Sequence, residues 1–157
     1  GGDAAHADAS VASAFERHGA LSTLVTLATE LPTVDDDPLH FDATAWRDGV
    51  DRTLNTTWFF MHAAARQWRD RQQPGQIITV MPPYRHDPGS GLARAVGASI
   101  AHLVKTVAVE WAAHRIRVNA IAPARPDDDA VAQAAVWLSA DSGKFVTGEV
   151  MNLGALR

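Results

Sequence analysis

The sequence predicts an α/β protein: a parallel sheet of about four strands flanked by helices. Two observations carry this. Short apolar runs alternate with longer helical patterns along the whole chain, the spacing of parallel strands joined by right-handed crossovers. The stretch from Gly75 to Pro123 is itself one strand–helix–strand unit: GQIITVMPP, a polar loop, a long helix, then IRVNAIAP.

A chain of 157 residues suffices for one domain with a sizeable core, and residues 1–157 are read as a single unit. There is no cysteine, which excludes a disulfide framework and a thiolate metal site. The net charge is -4 and no basic run occurs, so neither nucleic acid nor an anionic membrane is an expected partner. Lysine occurs only at Lys105 and Lys144. No continuous apolar stretch approaches the ~20 residues of a membrane span. The start, GGDAAHADAS, has neither a basic n-region nor an apolar h-region, and the expected location is the cytoplasm.

In chain order, residues 1–9 are expected to be poorly ordered. Asp8 or Ser10 is the expected cap of a helix over VASAFERH that stops at Gly19. Leu21 to Ala28 is a buried strand by its Leu and Val content and its brevity. A solvated loop follows; Asp35, Asp36 and Asp37 within it make a poor metal site, because adjacent aspartates diverge. Asp42 or Thr44 opens one helix running to Arg71. Its second half, from Trp58 to Trp68, is apolar nearly all round and is expected to be covered on two sides, by the sheet and by another subunit. Gln73-Pro74-Gly75 breaks it, and Gly75 to Met81 is the next strand. Ser90 is placed to cap the following helix, whose inward stripe is Leu92, Val96, Ile100, Leu103, Val107 and Trp111. Ile116 to Pro123 is the third strand. Asp127, Asp128 and Asp129 sit at the positive end of a last helix, with Val131, Ala134, Ala135 and Leu138 inward. A turn leads to a final strand over Glu149 to Leu153.

Five segments, in order, resemble the short-chain dehydrogenase/reductase family: Leu54-Asn55-Thr56, the strand from Gly75 to Val80, His102 to Glu110, Ile116 to Pro123, and Trp137 to Ser139 with Val146 to Val150. The resemblance runs from about residue 10 to the end. It implies a partial Rossmann-like sheet that keeps strands 4, 5, 6 and 7 of the family's order 3-2-1-4-5-6-7. It also implies a test of the chemistry. The family uses a tyrosine for proton transfer, a lysine that lowers the tyrosine's pKa and holds the cofactor ribose, a serine on the substrate carbonyl and an asparagine on a water chain. Aligned here, the tyrosine position is Ala93, the lysine position Gly97 and the serine position Met81 or Pro82; only Asn55 matches. Neither a methyl group nor a hydrogen transfers a proton. Lys105, two turns beyond Gly97, does not stand in for the lost lysine. The glycine-rich turn for a dinucleotide is also missing, and the strand that resembles the one ending in Asn-Asn-Ala-Gly ends in Thr26-Leu27-Ala28-Thr29. No cofactor is therefore expected, with NAD(P) bound only if a partner chain supplies the missing half.

The strand from Leu21 to Ala28 is then left at an edge where a further strand pairs in the family. An exposed apolar edge invites aggregation, so a cover is expected from an N-terminal segment, a second copy or another protein. Three functions follow. The first is a non-catalytic subunit or scaffold that pairs with itself or with an active homologue through the helices 45–71 and 90–114, which form a four-helix interface in the family. The second is an oxidoreductase component completed by another chain. The third is a repurposed cyclase, hydratase or lyase using the vacated pocket with Asn55, Tyr84 and His86 as candidate catalytic residues. Against that third role, Asn55 reads more readily as a structural helix residue, and Tyr84 and His86 more readily as members of a plain polar loop.

Overall fold

The structure is a computed structural model that describes residues 3–28, 42–83, 91–124 and 128–154. Helix α1 (Ala4–His18) begins earlier than expected. Its cap is neither Asp8 nor Ser10 but Asp3, whose carboxylate accepts from the His6 amide at 2.7 Å. Residues 4–9 are mostly alanine, the best helix former, so the helix extends back until a capping side chain stops it. Gly19, at φ 74°, closes the helix, as expected of a left-handed glycine after the last turn.

Strand β1 (Thr23–Leu27) leads to residues outside the described set, among them Asp35, Asp36 and Asp37. Asp42 then caps α2 (Ala43–Val50), accepting from the amides of Thr44 and Ala45. The single helix expected to Arg71 has a π-helical turn at Asp51–Asn55, after which α3 (Thr56–Asp70) continues. Thr56 fixes that turn, because its hydroxyl and its amide both donate to the Asp51 carbonyl. An inserted π turn re-aims the residues on either side of it. Trp68, fully buried, lies flat against Gly75 and donates its indole N–H to the Leu21 carbonyl at 2.7 Å, which sets the start of β1.

Strand β2 (Gly75–Val80), helix α4 (Gly91–Trp111) and strand β3 (Ile116–Pro123) form the central unit. Of the predicted α4 stripe, Leu92, Val96, Ile100 and Val107 are buried. Leu103 and Trp111 are only half-buried, and Val104, which the stripe omitted, is fully buried. The buried face follows a spacing of four residues, Leu92, Val96, Ile100, Val104 and Ala108, so the face that the stripe extended through Leu103 and Trp111 lies partly to one side of it. By length and mean hydropathy the segment Gly91–His114 would also pass for a membrane span. Packing on β3 accounts for part of that apolar character, about 33% of the segment being buried. Helix α5 (Asp128–Ser139) and strand β4 (Val150–Leu153) complete the chain, with Asp128 and Asp129 in the first turn of α5. Ala134 and Leu138 face inward.

The four strands run in the order β1-β2-β3-β4, all parallel. This is the partial sheet that the sequence predicts. Helices α1, α3 and α4 cover one face, with Met61, Trp68, Ile77, Ile100 and Val118 at its centre. On the other face α5 packs on Ile78 and Ile121. The second cover of the all-round apolar α3, assigned in advance to another subunit, is supplied in part by α1, which packs along it through Ala7, Val11 and Phe15.

The polar residues of the middle strands fasten the C-terminal segment. Arg117 donates to the carbonyls of Gly143, Val146 and Leu138 and to the Gln76 amide oxygen. Asn119, fully buried, donates to the Val146 carbonyl at 2.9 Å and accepts from the Glu149 amide at 3.1 Å. The Thr147 hydroxyl accepts from the Val118 amide. Residues 117–119 thus hold 143–149 in place as the chain turns into β4.

Candidate functional site

In an open parallel sheet, a site is expected beyond the carboxyl ends of the strands. Here that rim is formed by Ala28 after β1, Met81, Pro82 and Pro83 after β2, and Ala122 and Pro123 at the end of β3. Above it, between β2, β3, β4 and the first turns of α4, is a cavity of about 210 Å³. Its walls include Met81, Pro82, Ala93, Gly97 and Ala101. Ala93, Gly97 and Ala101 come one helical turn apart, so α4 presents it with a strip of its smallest side chains. A Cβ built on Gly97 would come 3.6 Å from the Met81 methyl, an ordinary contact. Space therefore does not dictate the glycine. The polar groups here are the exposed side chains of Arg94 and Asn152, which sequence reasoning did not single out. No pattern in the sequence marks either, since Arg94 lies between small residues and Asn152 in a short strand.

Among the described residues, the rim does not offer the donors a dinucleotide needs. A pyrophosphate needs a row of backbone N–H groups near a helix start. The rim instead carries three prolines, Pro82, Pro83 and Pro123, which have no N–H. Its remaining residues are apolar, and the described chain ends β1 in Leu27-Ala28 with no glycine beside it.

Of the three candidate catalytic residues, Tyr84 and His86 lie outside the described residues, as do Ser90 and Asp127. Asn55 closes the π-helical turn and its amide donates to the Asp51 carboxylate at 2.5 Å. It does not line the cavity beside Ala93. It opens instead on a groove between the π turn, α3 and α4, with Leu54, Trp58, Ala98 and His102. Trp58, on one wall of the groove, also stacks on Trp111, ring centroids 6.1 Å apart. Among the described residues no cluster of three or more His, Cys, Asp or Glu is arranged to hold a metal. Arg117 is the one described group with a resolved shift in pKa, pushed below its ordinary value by burial.

Comparison with known proteins agrees with this geometry at the level of the fold. The sequence profile of a family described as enoyl-(acyl carrier protein) reductase matches residues 2–126. A probable 2,4-dienoyl-CoA reductase of Bacillus subtilis is 40% identical over 81 residues, which are 50% of this chain and 32% of that protein. The 3beta-hydroxysteroid dehydrogenase 1 of Eggerthella lenta is 30% identical over 138 residues, 68% of this chain and 52% of that one. The chain thus spans between a third and about half of these relatives. Among solved structures, a short chain dehydrogenase from Mycobacterium smegmatis superposes with a TM-score of 0.89 at 22% identity, covering 99% of this chain and 67% of that one. The parallel sheet, the ordered motifs and the profile match together place this chain in the short-chain dehydrogenase/reductase family.

Proposed function

We propose that this chain is a non-catalytic, cytoplasmic member of its family that works in assembly, as a scaffold or as the partner of an active homologue. The observation that supports the reading is the cavity walled by Ala93, Gly97, Met81 and Pro82, the positions that the family resemblance aligns with the proton-transfer groups. No acid–base pair is available from those four residues. The groove formed by Leu54, Trp58, Ala98 and His102 offers the surface, a shallow apolar trough between two long helices. Small residues along α4 let a second helix pair approach closely. Native mass spectrometry of the purified chain tests this: a dimer or higher assembly is expected, and Ala98→Arg should break it. A monomer at tens of micromolar that captures no homologue on co-purification refutes it.

A second reading has its own support. Strand β1 pairs only with β2 among the described residues, and Val25 and Leu27 on it are 49% and 70% exposed. The chain also matches the fold of a solved structure over 67% of that chain's length, with a TM-score of 0.89 at 22% identity. A further polypeptide segment carrying the remaining strands and a dinucleotide cradle would complete an oxidoreductase along this edge. Titration of NADH and NADPH fluorescence, with the chain alone and with active homologues, separates the two. Tight cofactor binding that requires both chains favours this second reading over the first.

A further inference from the structure

At the amino ends of β1, β2 and β3, opposite the cavity beside Ala93, lies a concavity of about 560 Å³. Arg115, Arg117 and Lys144 line it, together with the hydroxyl-bearing Ser22, Thr23 and Thr147. Among the described residues no Asp or Glu lines it, although the chain as a whole carries a net charge of -4. Three cations gathered without a carboxylate make a positive well in an otherwise acidic molecule.

Arg117 supplies a second, independent observation. Its guanidinium is half-buried and is held by neutral acceptors: three backbone carbonyls and the Gln76 amide oxygen. Among the described residues no carboxylate forms an ion pair with it. A cation taken partly out of water without a counter-ion is costly. Burial accordingly pushes its pKa down. The carbonyl end of α5, including Leu138, offsets part of that cost through the helix dipole. An anion in the concavity would offset the rest. Arg115 is fixed at the rim by a left-handed backbone, φ 60°, and by donation to the Gln72 carbonyl. Lys144 is exposed on the opposite side, its ammonium 5.3 Å from the centre of the Phe145 ring.

We propose that this concavity binds a small phosphate-bearing anion. Lys144 and Arg115 give direct charge-assisted contacts from the rim, Ser22, Thr23 and Thr147 offer hydroxyl donors, and Arg117 provides a fixed charge from the floor. The site is remote from the carboxyl-end cavity and does not depend on whether the chain is catalytic.

The test uses the full chain and two probes, inorganic pyrophosphate and orthophosphate, followed by calorimetry and thermal unfolding at ionic strength held constant with sodium chloride. A saturable rise in Tm above the chloride control is expected with pyrophosphate, and a weaker one with orthophosphate. Lys144→Gln, at an exposed position that leaves the fold alone, should weaken pyrophosphate about fivefold, the worth of one charge-assisted bond. Lys105→Gln, an exposed change on α4 away from the concavity, should bind as the parent does. Absence of saturable binding by either probe overturns the proposal, and so does equal weakening by Lys144→Gln and Lys105→Gln.

Discussion

Asn119→Ala is expected to loosen the join between α5 and β4 without touching the sheet register. Asn119 is fully buried, and its amide makes two hydrogen bonds to a segment some thirty residues later, to Val146 and Glu149. Alanine removes both bonds: the Glu149 amide loses its side-chain acceptor, and the Val146 carbonyl keeps only its bond from Arg117. The bond lost at Val146 costs about 0.5–1.5 kcal/mol and the amide left without its acceptor about 1–3 kcal/mol, a total of about 2–4 kcal/mol. For a chain of this size each kcal/mol moves Tm by about 2–4 °C, so the midpoint should fall by about 5–15 °C. Circular dichroism melts and urea titrations with an unchanged m-value would measure it. Limited proteolysis should show faster cleavage after Lys144, because the segment 143–149 is what the side chain holds. Asn119→Asp serves as a partner experiment. It keeps an acceptor for the Glu149 amide but turns a carboxylate oxygen toward the Val146 carbonyl, and it should be no more stable than the alanine variant at neutral pH. If Asn119→Ala melts within about 0.5 kcal/mol of the parent, the fastening assigned to residues 117–119 is wrong.

Further tests follow from single positions. Gly75→Ala should cost at least about 3 kcal/mol or abolish folding, since a Cβ there falls 2.2 Å from the buried Trp68 ring, and the soluble yield and melting point report it. Gln72→Gly should stabilise by about 0.5–1 kcal/mol in urea melts, because Gln72 holds φ 55° and only its backbone carbonyl is used by Arg115. The pair Ala93→Tyr and Gly97→Lys should fold, the lysine Cβ meeting only the Met81 methyl, yet show no NAD(P)H oxidation against carbonyl substrates, because the proline-bearing rim offers the cofactor no cradle. Turnover by that double variant alone would show that the cradle exists and sink the argument from Pro82, Pro83 and Pro123.

The fold was legible because its signals are redundant. Brevity and Val, Ile and Leu content mark the strands, and prolines, glycines and Asp42 mark the boundaries. The departures have local causes. Alanine at 4, 5, 7 and 9 looks like filler in a sequence, but it lets α1 grow back to Asp3. The π turn at Asp51–Asn55 has no composition of its own; it depends on Thr56 bonding five residues back, a pattern invisible to helical periodicity. At the candidate site the sequence reading rests on Ala93 and Gly97, and that they share one cavity with Met81 and Pro82 is seen only in the fold. The roles of Arg117 and Asn119 were not legible, since a motif says that residues recur together and not what they fasten. Seeing that Asn119 reaches Glu149 requires knowing that β4 lies beside β3.

The two faces of the sheet differ, and the difference bears on what the chain is for. On one face three helices lie over β1, β2 and β3, and residues such as Ile77, Val118 and Ala120 are sealed. On the other, α5 packs on β2 and β3 and leaves β1 aside. Strand periodicity puts Thr23, Val25 and Leu27 on that second face. Val25 and Leu27 are the consequence: apolar strand residues left largely in water at an edge that is itself unpaired among the described residues. Parallel sheets are normally covered on both faces, since their strands carry apolar residues on each side. The exposed set is confined to one strand face and its free edge, which is the pattern of an interrupted layer rather than of scattered surface hydrophobes. Whatever supplies that layer must bring both a strand for the edge and a helix for the face. A unit of strand and helix meets the requirement, whereas a loop or a single helix meets only half of it. The two readings of function thus predict different surfaces. Assembly through α3 and α4 leaves Leu27 wet, and completion of the sheet buries it.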